Sequence, residues 1–195
     1  MSDHHHHFTD GNLIILYAIH RRKNTNSELP DYIKERIKAC IDTFKITVRS
    51  KPDKHNTMIV VFSNGETADN IRTELIKAGI DHTIITVDSI PKNIAHTFDR
   101  ILNMIKTRIN PPYMYFIGSV WQRNIYDSII SSKLKGYMIQ FEGAPDNRPI
   151  DEVEEDKKID IPRKGMVHYK KKVKDKAIDM LLNRIFHEND KGSRS

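Results

Sequence analysis

Five short apolar runs divide the chain, and each of the first four is followed by a segment whose apolar residues have helical spacing. Continuous apolar runs of this length are typical of strands that are covered on both faces in a parallel sheet. The predicted strands are 13–19, 58–62, 82–87, 113–117 and 137–141. The second strand runs into a tight turn at Asn64-Gly65 and then at once into an amphipathic stretch, the order expected of an α/β fold.

Four helices are predicted between these strands. The first covers 31–45, and its apolar face consists of Ile33, Ile37, Cys40, Ile41 and Phe44. The others run from the Asn64-Gly65 turn to a capping Gly79, over 92–108, and over 121–133. Strands and helices that alternate at roughly 30-residue spacing favour right-handed crossovers. We therefore predict an α/β, Rossmann-like three-layer sandwich with a mostly parallel five-stranded sheet.

The length of 195 residues accommodates one such domain with extensions. The predicted organisation is a tag-like or disordered start at 1–11, the α/β domain at 12–142, a charged segment at 143–176, acidic and then basic, a helix packing on the domain at 177–187, and a disordered tail at 188–195. Residues 46–56 are expected to form a surface connection, because they combine a proline with several basic side chains.

Composition indicates the cellular compartment in which the protein is expected. A single cysteine, Cys40, excludes a disulfide framework and is expected to be a buried, inert thiol. No apolar run approaches the roughly 18 residues of a membrane span, and the start lacks the features of a signal peptide. We therefore expect a soluble, cytoplasmic protein. His4–His7 are interpreted as a tag remnant or an incidental metal-binding tail, so no metal site is predicted.

Polar residues follow several predicted strands. Because the carboxyl ends of parallel strands meet at one edge of the sheet, these residues are expected to gather there. The candidates for binding a phosphate or carboxylate are Asn64, Gly65, Asn93, Ser119, Arg123 and Arg21, with Arg22 as a further source of charge. Backbone N–H groups at a helix start and the planar guanidinium fork both suit such an anion. The sequence thus predicts a small anionic ligand.

Two carboxylates at this edge are candidates for catalysis. Glu66 follows the glycine turn and Asp88 follows the third strand. Either can serve as a general base, or hold a ribose hydroxyl or a metal ion. His20 follows the first strand and is interpreted as a ligand, an acid or simply a partly buried side chain. Without a dinucleotide fingerprint, a phosphate-binding loop, a paired-histidine metal motif or a nucleophile elbow, catalysis stays an open question.

Each site candidate also has an ordinary structural explanation. Asn64-Gly65 is a common turn dipeptide, and Asn64 and Ser119 can simply cap helices. Arg21 to Lys23 can form a solvated loop.

The basic segment 163–176 supports a different class of function. Its lysines can contact nucleic-acid phosphates with little sequence preference and strong salt dependence. The alternative is that it pairs with the acidic residues of 146–160, in the same chain or in a neighbouring subunit.

Four stretches resemble the SanA, ElyC and YdcF group of α/β proteins, and the likeness spans about residues 12–146. They are ERIKACIDTF, VVFSNGETADNIRTELIKAGI, TVDSIPKNIAHT and FIGSVWQRNIY. The resemblance implies a Rossmann-like fold and an adenosine-type ligand, such as a nucleotide or S-adenosylmethionine, without an agreed reaction.

The chain departs from the family pattern at several positions. Only Asn93 stands in register in the third turn, Glu66 lies one place early with Thr67 in its slot, and Gln122 stands where the family commonly has a histidine. These departures favour lost or altered chemistry over a standard activity of the family. We therefore expect an anion-binding protein of this group, with a nucleic-acid-binding or protein-binding module as the alternative.

Overall fold

A five-stranded sheet forms the centre of the structure, a computed structural model that describes residues 11–22, 28–50 and 56–161. The strands are β1 (Asn12–Tyr17), β2 (Thr57–Phe62), β3 (Ile85–Asp88), β4 (Tyr113–Ser119) and β5 (Ile139–Ala144). The helices are α1 (Asp31–Ser50), α2 (Gly65–Lys77), α3 (Ile94–Ile105), α4 (Arg123–Lys133) and α5 (Ile150–Asp160). All neighbouring strands pair in parallel, so the predicted α/β sandwich with its parallel sheet is confirmed.

The strand order is β3-β2-β1-β4-β5, with the first strand in the middle. The chain winds outward from β1 to β3, then returns to the other side of β1 and winds outward again. This reversal leaves a crevice between the carboxyl ends of β1 and β4, the place where open α/β sheets commonly bind ligands. Asn12 of β1 is in register with Thr57 of β2 and with Tyr113 of β4.

Two apolar layers cover the sheet. On one face, α1 and α2 pack against alternate strand residues such as Ile14 and Leu16, which are completely buried. On the other face, the rings of Phe98 in α3 and Tyr126 in α4 contact Phe116 of β4. Because side chains alternate across a strand, the same apolar runs supply both layers. Cys40 lies on the buried face of α1, as predicted, and its burial raises the pKa of the thiol to about 12.

Helix α1 is longer than the sequence analysis predicts. It continues to Ser50, so residues 46–50 of the predicted surface connection 46–56 are helical instead, and 51–55 lie outside the described residues. The buried Thr43 and Thr47 lie one helical turn apart and continue the face that packs on the sheet. Arg49 in the last turn is exposed, so its charge, which favoured a loop in the prediction, lies on the solvent side of the helix.

Three further elements differ from the prediction. The fifth strand, predicted at 137–141, is Ile139–Ala144, and its pairing with β4 continues past the predicted end of the domain at 142. Residues His82–Ile84 form a turn of 3-10 helix and only Ile85–Asp88 form the strand, because the Asp81 carboxylate accepts a hydrogen bond from the Thr83 N–H (2.9 Å). The acidic tract, for which the sequence predicted no regular element, forms most of α5.

Several predictions lie outside the described residues: the histidine-rich start, Lys23, the basic segment 163–176, the helix at 177–187 and the tail at 188–195. Among the helices that the structure does describe, none is both long and apolar enough to cross a membrane.

Candidate functional site

Six charged residues meet in the crevice between β1 and β4. We call them the arginine–aspartate cluster; its members are Arg21, Arg36, Arg148, Asp146, Asp156 and Asp160. Arg21 follows β1, Arg36 belongs to α1, Asp146 and Arg148 follow β5, and the two remaining aspartates belong to α5. The chain thus brings three cations and three carboxylates from distant segments to the site at which an α/β sheet most often binds its ligand.

Arg36 is the centre of the cluster and is only 1% exposed. Its Nε and Nη2 atoms donate to the hydroxyl of Ser119 at 3.0 and 2.8 Å, and Nη1 donates to the carbonyl oxygen of Tyr17 at 2.9 Å. Burial lowers the pKa of this guanidinium, and the nearby carboxylate of Asp146 opposes that effect. A buried arginine with all of these acceptors is a positioned, desolvated cation rather than a surface charge.

Ser119 stands in the crevice, as predicted, but the chain itself occupies its hydroxyl. The oxygen accepts two hydrogen bonds from Arg36 and donates one to Asp146 (3.0 Å). A serine hydroxyl has one donor and two acceptor positions, so all three are used. The Ser119 N–H, in turn, donates to the Gln122 side-chain oxygen at 2.7 Å. The predicted ligand contact by this hydroxyl therefore requires that the cluster rearranges.

Asp146 and Arg148 form a two-pronged ion pair. Arg148 Nε and Nη2 donate to the two carboxylate oxygens at 2.9 and 2.8 Å, and the Trp121 indole N–H donates to the same group at 2.9 Å. Burial opposes ionisation of Asp146, but the hydrogen bonds from Arg148, Trp121 and Ser119 outweigh it and hold the pKa well below its ordinary value. The Arg148 guanidinium also stacks on the ring of Tyr32, 3.6 Å from its centroid.

Asp160 anchors the end of α5 in the floor of the crevice. It is completely buried, and its carboxylate accepts from the Tyr17 hydroxyl (2.6 Å), from Arg21 Nη2 (2.8 Å) and from the Gln122 amide (3.1 Å). Burial, together with the neighbouring Asp160 charge, raises the pKa of Tyr17 well above its ordinary value. Tyr17 therefore stays a neutral hydrogen-bond donor to this carboxylate.

Asp156 lies nearer the rim and bridges two arginines. Its Oδ1 atom is 3.3 Å from Arg21 Nη1, and its Oδ2 atom accepts from Arg148 Nη1 at 2.8 Å. The cluster therefore pairs three carboxylates with three guanidiniums. Of the residues predicted to bind a carboxylate or phosphate, Arg21 and Ser119 contact the chain's own aspartates in the structure.

The second region of the edge, which we call the β2 exit, consists of Asn64, Gly65 and Glu66. All three residues are exposed. Ser63, which precedes the turn, ties it to the end of β1, since its hydroxyl donates to the Ala18 carbonyl oxygen at 2.8 Å. Asn64 is the N-cap of α2, but its side chain accepts no hydrogen bond from the described first turn of that helix.

Gly65 begins α2 in the left-handed region, with φ at +51°. Apart from the neighbouring backbone, no heavy atom of the described residues lies within 4 Å of the place a Cβ would occupy. Only glycine adopts this conformation readily, so the backbone here stays bare and open to solvent. Open N–H groups at a helix start are the kind of site that accepts an anion.

Asp88 and Asn93 lie at the exit of β3, and both have structural partners. Asp88 is buried, pairs with Arg100 of α3 and accepts from the Ile90 N–H at 3.0 Å. Asn93 caps α3, since its side-chain oxygen accepts from the His96 N–H at 2.8 Å. These contacts hold the turn between β3 and α3 in one conformation.

The remaining candidates are distributed over the edge. Arg21 joins the cluster and also donates to the Lys92 carbonyl oxygen at 3.0 Å, which links the exits of β1 and β3. Arg123 contacts other residues: its Nε lies 3.5 Å from Asp127 Oδ1, and its guanidinium covers the ring of Phe141. His20 Nδ1 lies 2.7 Å from the Tyr32 hydroxyl. Of the predicted binding residues, the structure places Arg21 and Ser119 together in the crevice, and Asn64 and Gly65 together at the β2 exit.

Some residues of the cluster, which were not among the predicted site residues, nevertheless leave a signal in the sequence. Arg36 falls three residues after Ile33 and four before Cys40, which places it on the apolar face of its helix. Val153, Asp156 and Asp160 have the same spacing and lie on one face of α5. Asp146 and Arg148 lie in a loop without periodicity, so no pattern of that kind identifies them.

No group of three or more histidine, cysteine, aspartate or glutamate side chains within the described ranges is arranged to hold a metal ion.

Compared with known proteins, this chain matches no family model, no curated protein and no solved structure. The basis for inferring its function is therefore the geometry of the crevice and of the β2 exit.

Proposed function

We propose that this protein binds a small anionic ligand, such as a nucleotide or S-adenosylmethionine, at the carboxyl edge of its sheet, in the manner of SanA, ElyC and YdcF-like proteins. The observation that carries the proposal is the β2 exit, where α2 begins at an exposed glycine with φ at +51° and with open space beside it. The aligned peptide dipoles and free N–H groups of a helix start favour negative charge.

The neighbouring positive charge supports the same ligand class. Arg21 reaches from the exit of β1 to the carbonyl oxygen of Lys92 in the turn after β3. Its guanidinium therefore borders both the crevice and the exits on the β3 side of the sheet. Arginine suits this role because its planar fork can meet two oxygens of one phosphate or carboxylate.

The proposal concerns ligand binding. Catalysis by Glu66 or Asp88 stays a prediction from the sequence. Glu66 is exposed and belongs to the β2 exit, where a carboxylate can contact a ribose hydroxyl. Asp88 is less suited to act on a ligand, because Arg100 and the Ile90 N–H already hold its buried carboxylate.

The alternative is a nucleic-acid-binding or protein-binding module that uses the basic segment 163–176. One observation is compatible with this alternative: several acidic residues of α5 have partners outside the basic segment. Arg22 pairs with Glu152 and Glu155, each at 2.8 Å, and Lys157 pairs with Glu154 at 2.6 Å. These carboxylates do not need the basic segment as their counter-charge.

A thermal-shift screen of the full chain against nucleotides, S-adenosylmethionine and sugar phosphates tests the proposal. A ligand that binds only the folded state stabilises it by about 2.7 kcal/mol at 100 times its dissociation constant. We expect a stabilising shift with one compound, lost in Gly65→Val because the side chain strains and blocks the helix start.

Gly79→Val is the matched control for this screen. Gly79 also has a positive φ, at +89°, and open space beside it, but it follows the other end of α2. It should lose stability in a similar way and keep the ligand-induced shift. Equal loss of the shift in both variants would attribute it to stability alone. No shift with any compound, together with a salt-sensitive shift on adding RNA or DNA, would favour the basic segment instead.

A further inference from the structure

Helix α5 is held on the edge of the sheet by charge more than by apolar packing. Within α5, which the structure describes completely, Val153 is the only apolar side chain that is buried. Ile150 is 80% exposed and Ile159 is 44% exposed, whereas the other two buried residues are Asp156 and Asp160. An anion can weaken such an attachment, because it can replace a carboxylate in one of the ion pairs that hold the helix.

Of the two buried carboxylates of α5, that of Asp156 is the more accessible, since Asp160 is completely buried. One of its oxygens faces Arg21 Nη1 at 3.3 Å and the other accepts from Arg148 Nη1 at 2.8 Å. The side chains involved are 12% to 16% exposed, so they lie at the rim of the crevice and within reach of solvent. Two guanidiniums that each bind one oxygen of the same group form the arrangement with which arginines hold a phosphate.

We infer that Arg21 and Arg148 form an oxyanion site whose internal occupant is the Asp156 carboxylate, and that a phosphate group displaces this carboxylate and loosens the attachment of α5, while Asp160 still anchors the end of the helix. The inference rests on the proposed function in one respect only, the class of ligand, which is a phosphate-containing anion. It adds a regulatory step, because a bound phosphate and the Asp156 ion pairs that help to hold α5 exclude each other.

The remaining contacts explain why this exchange leaves the crevice intact. Arg148 keeps its two-pronged pair with Asp146 through Nε and Nη2. Arg21 keeps its Nη2 contacts with the Tyr17 hydroxyl, the Lys92 carbonyl oxygen and the Asp160 carboxylate. Only the two Nη1 atoms change partner. A phosphate also carries more charge and more oxygens than one carboxylate, so it is the stronger partner for two guanidiniums.

The test compares the full-length chain with Asp156→Asn and Glu154→Gln. Asn keeps an oxygen that can accept from Arg148 but removes the charge. Glu154 is the matched control, because it lies on the same helix, is exposed and pairs with Lys157 rather than with an arginine of the cluster. The probe is inorganic pyrophosphate, titrated by calorimetry at an ionic strength held constant with sodium chloride.

We expect Asp156→Asn to bind pyrophosphate about tenfold more tightly than the wild type, because a weakened internal competitor raises the binding-competent fraction. Glu154→Gln should match the wild type. In the wild-type protein, pyrophosphate should also accelerate hydrogen exchange of the α5 amides, whereas chloride at equal ionic strength should not. This second readout needs no variant, so it stands even if Asp156→Asn folds poorly.

Equal pyrophosphate affinity in all three proteins, no binding by any of them, or binding without faster exchange in α5 would each overturn the inference. The proposed function is tested separately, by the loss of the nucleotide shift in Gly65→Val. If the thermal-shift screen finds a ligand but Asp156→Asn binds pyrophosphate like the wild type, the proposed ligand binding stands and the role of α5 is rejected.

Discussion

The crevice between β1 and β4 and the β2 exit lie on the same edge of one parallel sheet, yet they present their polar groups in opposite ways. In the crevice, the chain places three of its own carboxylates on three arginines, and Arg36, Ser119 and Asp160 are all but inaccessible. At the β2 exit, Asn64 and Gly65 leave the start of α2 exposed. Polar residues that converge on a sheet edge therefore do not by themselves define an open ligand site, because later segments of the chain can fill it.

The two regions should also differ in what their side chains contribute to stability. Charged groups removed from water are costly unless their partners stay in place, so the crevice should tolerate substitutions poorly. Exposed groups at the β2 exit pay no such cost and should matter for binding instead. Three substitutions, each paired with a control, test this difference.

The largest effect is expected from Arg36→Met. The change removes the donors to Ser119 and Tyr17 and leaves the cluster with one more carboxylate than cations, so we expect a loss of about 3 to 5 kcal/mol in the free energy of unfolding. Urea denaturation at neutral pH measures it. Arg123→Met is the control, because that side chain is 60% exposed and should change stability by less than about 0.5 kcal/mol. Similar losses in both variants would contradict the difference between a filled crevice and a solvated surface.

Asp146→Asn should cost about 2 to 3 kcal/mol at neutral pH, because the neutral amide loses the charge-assisted fork of Arg148. The folded protein holds the pKa of Asp146 below its unfolded value of about 3.9, so its contribution is complete above that pH. The contribution is lost as the pH falls towards the folded pKa. The stability gap between wild type and variant should therefore narrow in acid.

Urea denaturation at a series of pH values between neutral and strongly acidic follows this gap. Asp127→Asn removes an exposed carboxylate of α4 and should change stability little at any of these pH values. A gap for Asp146→Asn that stays constant with pH would mean that packing, and not its charge, stabilises the crevice.

The smallest effects compare two asparagines that both precede helices. Asn93→Ala should cost about 1 kcal/mol, because it removes the cap on the His96 N–H. Asn64→Ala should cost less than about 0.5 kcal/mol, since its side chain accepts no hydrogen bond from the described first turn of α2. Chemical denaturation of both variants in one buffer resolves the difference. Equal losses would show that Asn64 caps α2 in solution and that the β2 exit is less open than the structure indicates.

Local patterns in the sequence were sufficient to predict the fold. The apolar runs and the helical spacing predicted the strands, α2 and the parallel order, because each depends on neighbouring residues that alternate or repeat. They predicted the ends of α1 and of β3 less well. Whether a helix continues past Lys45 depends on Thr47 packing against the sheet, and a turn such as His82–Ile84 depends on one hydrogen bond from Asp81.

The sequence by itself determined an α/β sandwich whose carboxyl edge carries polar residues, since strand exits are fixed by local periodicity and parallel pairing. Only the tertiary structure decided which of those residues are open. Arg36 meets Ser119 across 83 positions, and Arg21 meets Asp160 across 139. Pairing at such separations depends on the path of the whole chain. Local propensity can indicate that Arg36 is buried, but it cannot tell which carboxylates come to lie beside it.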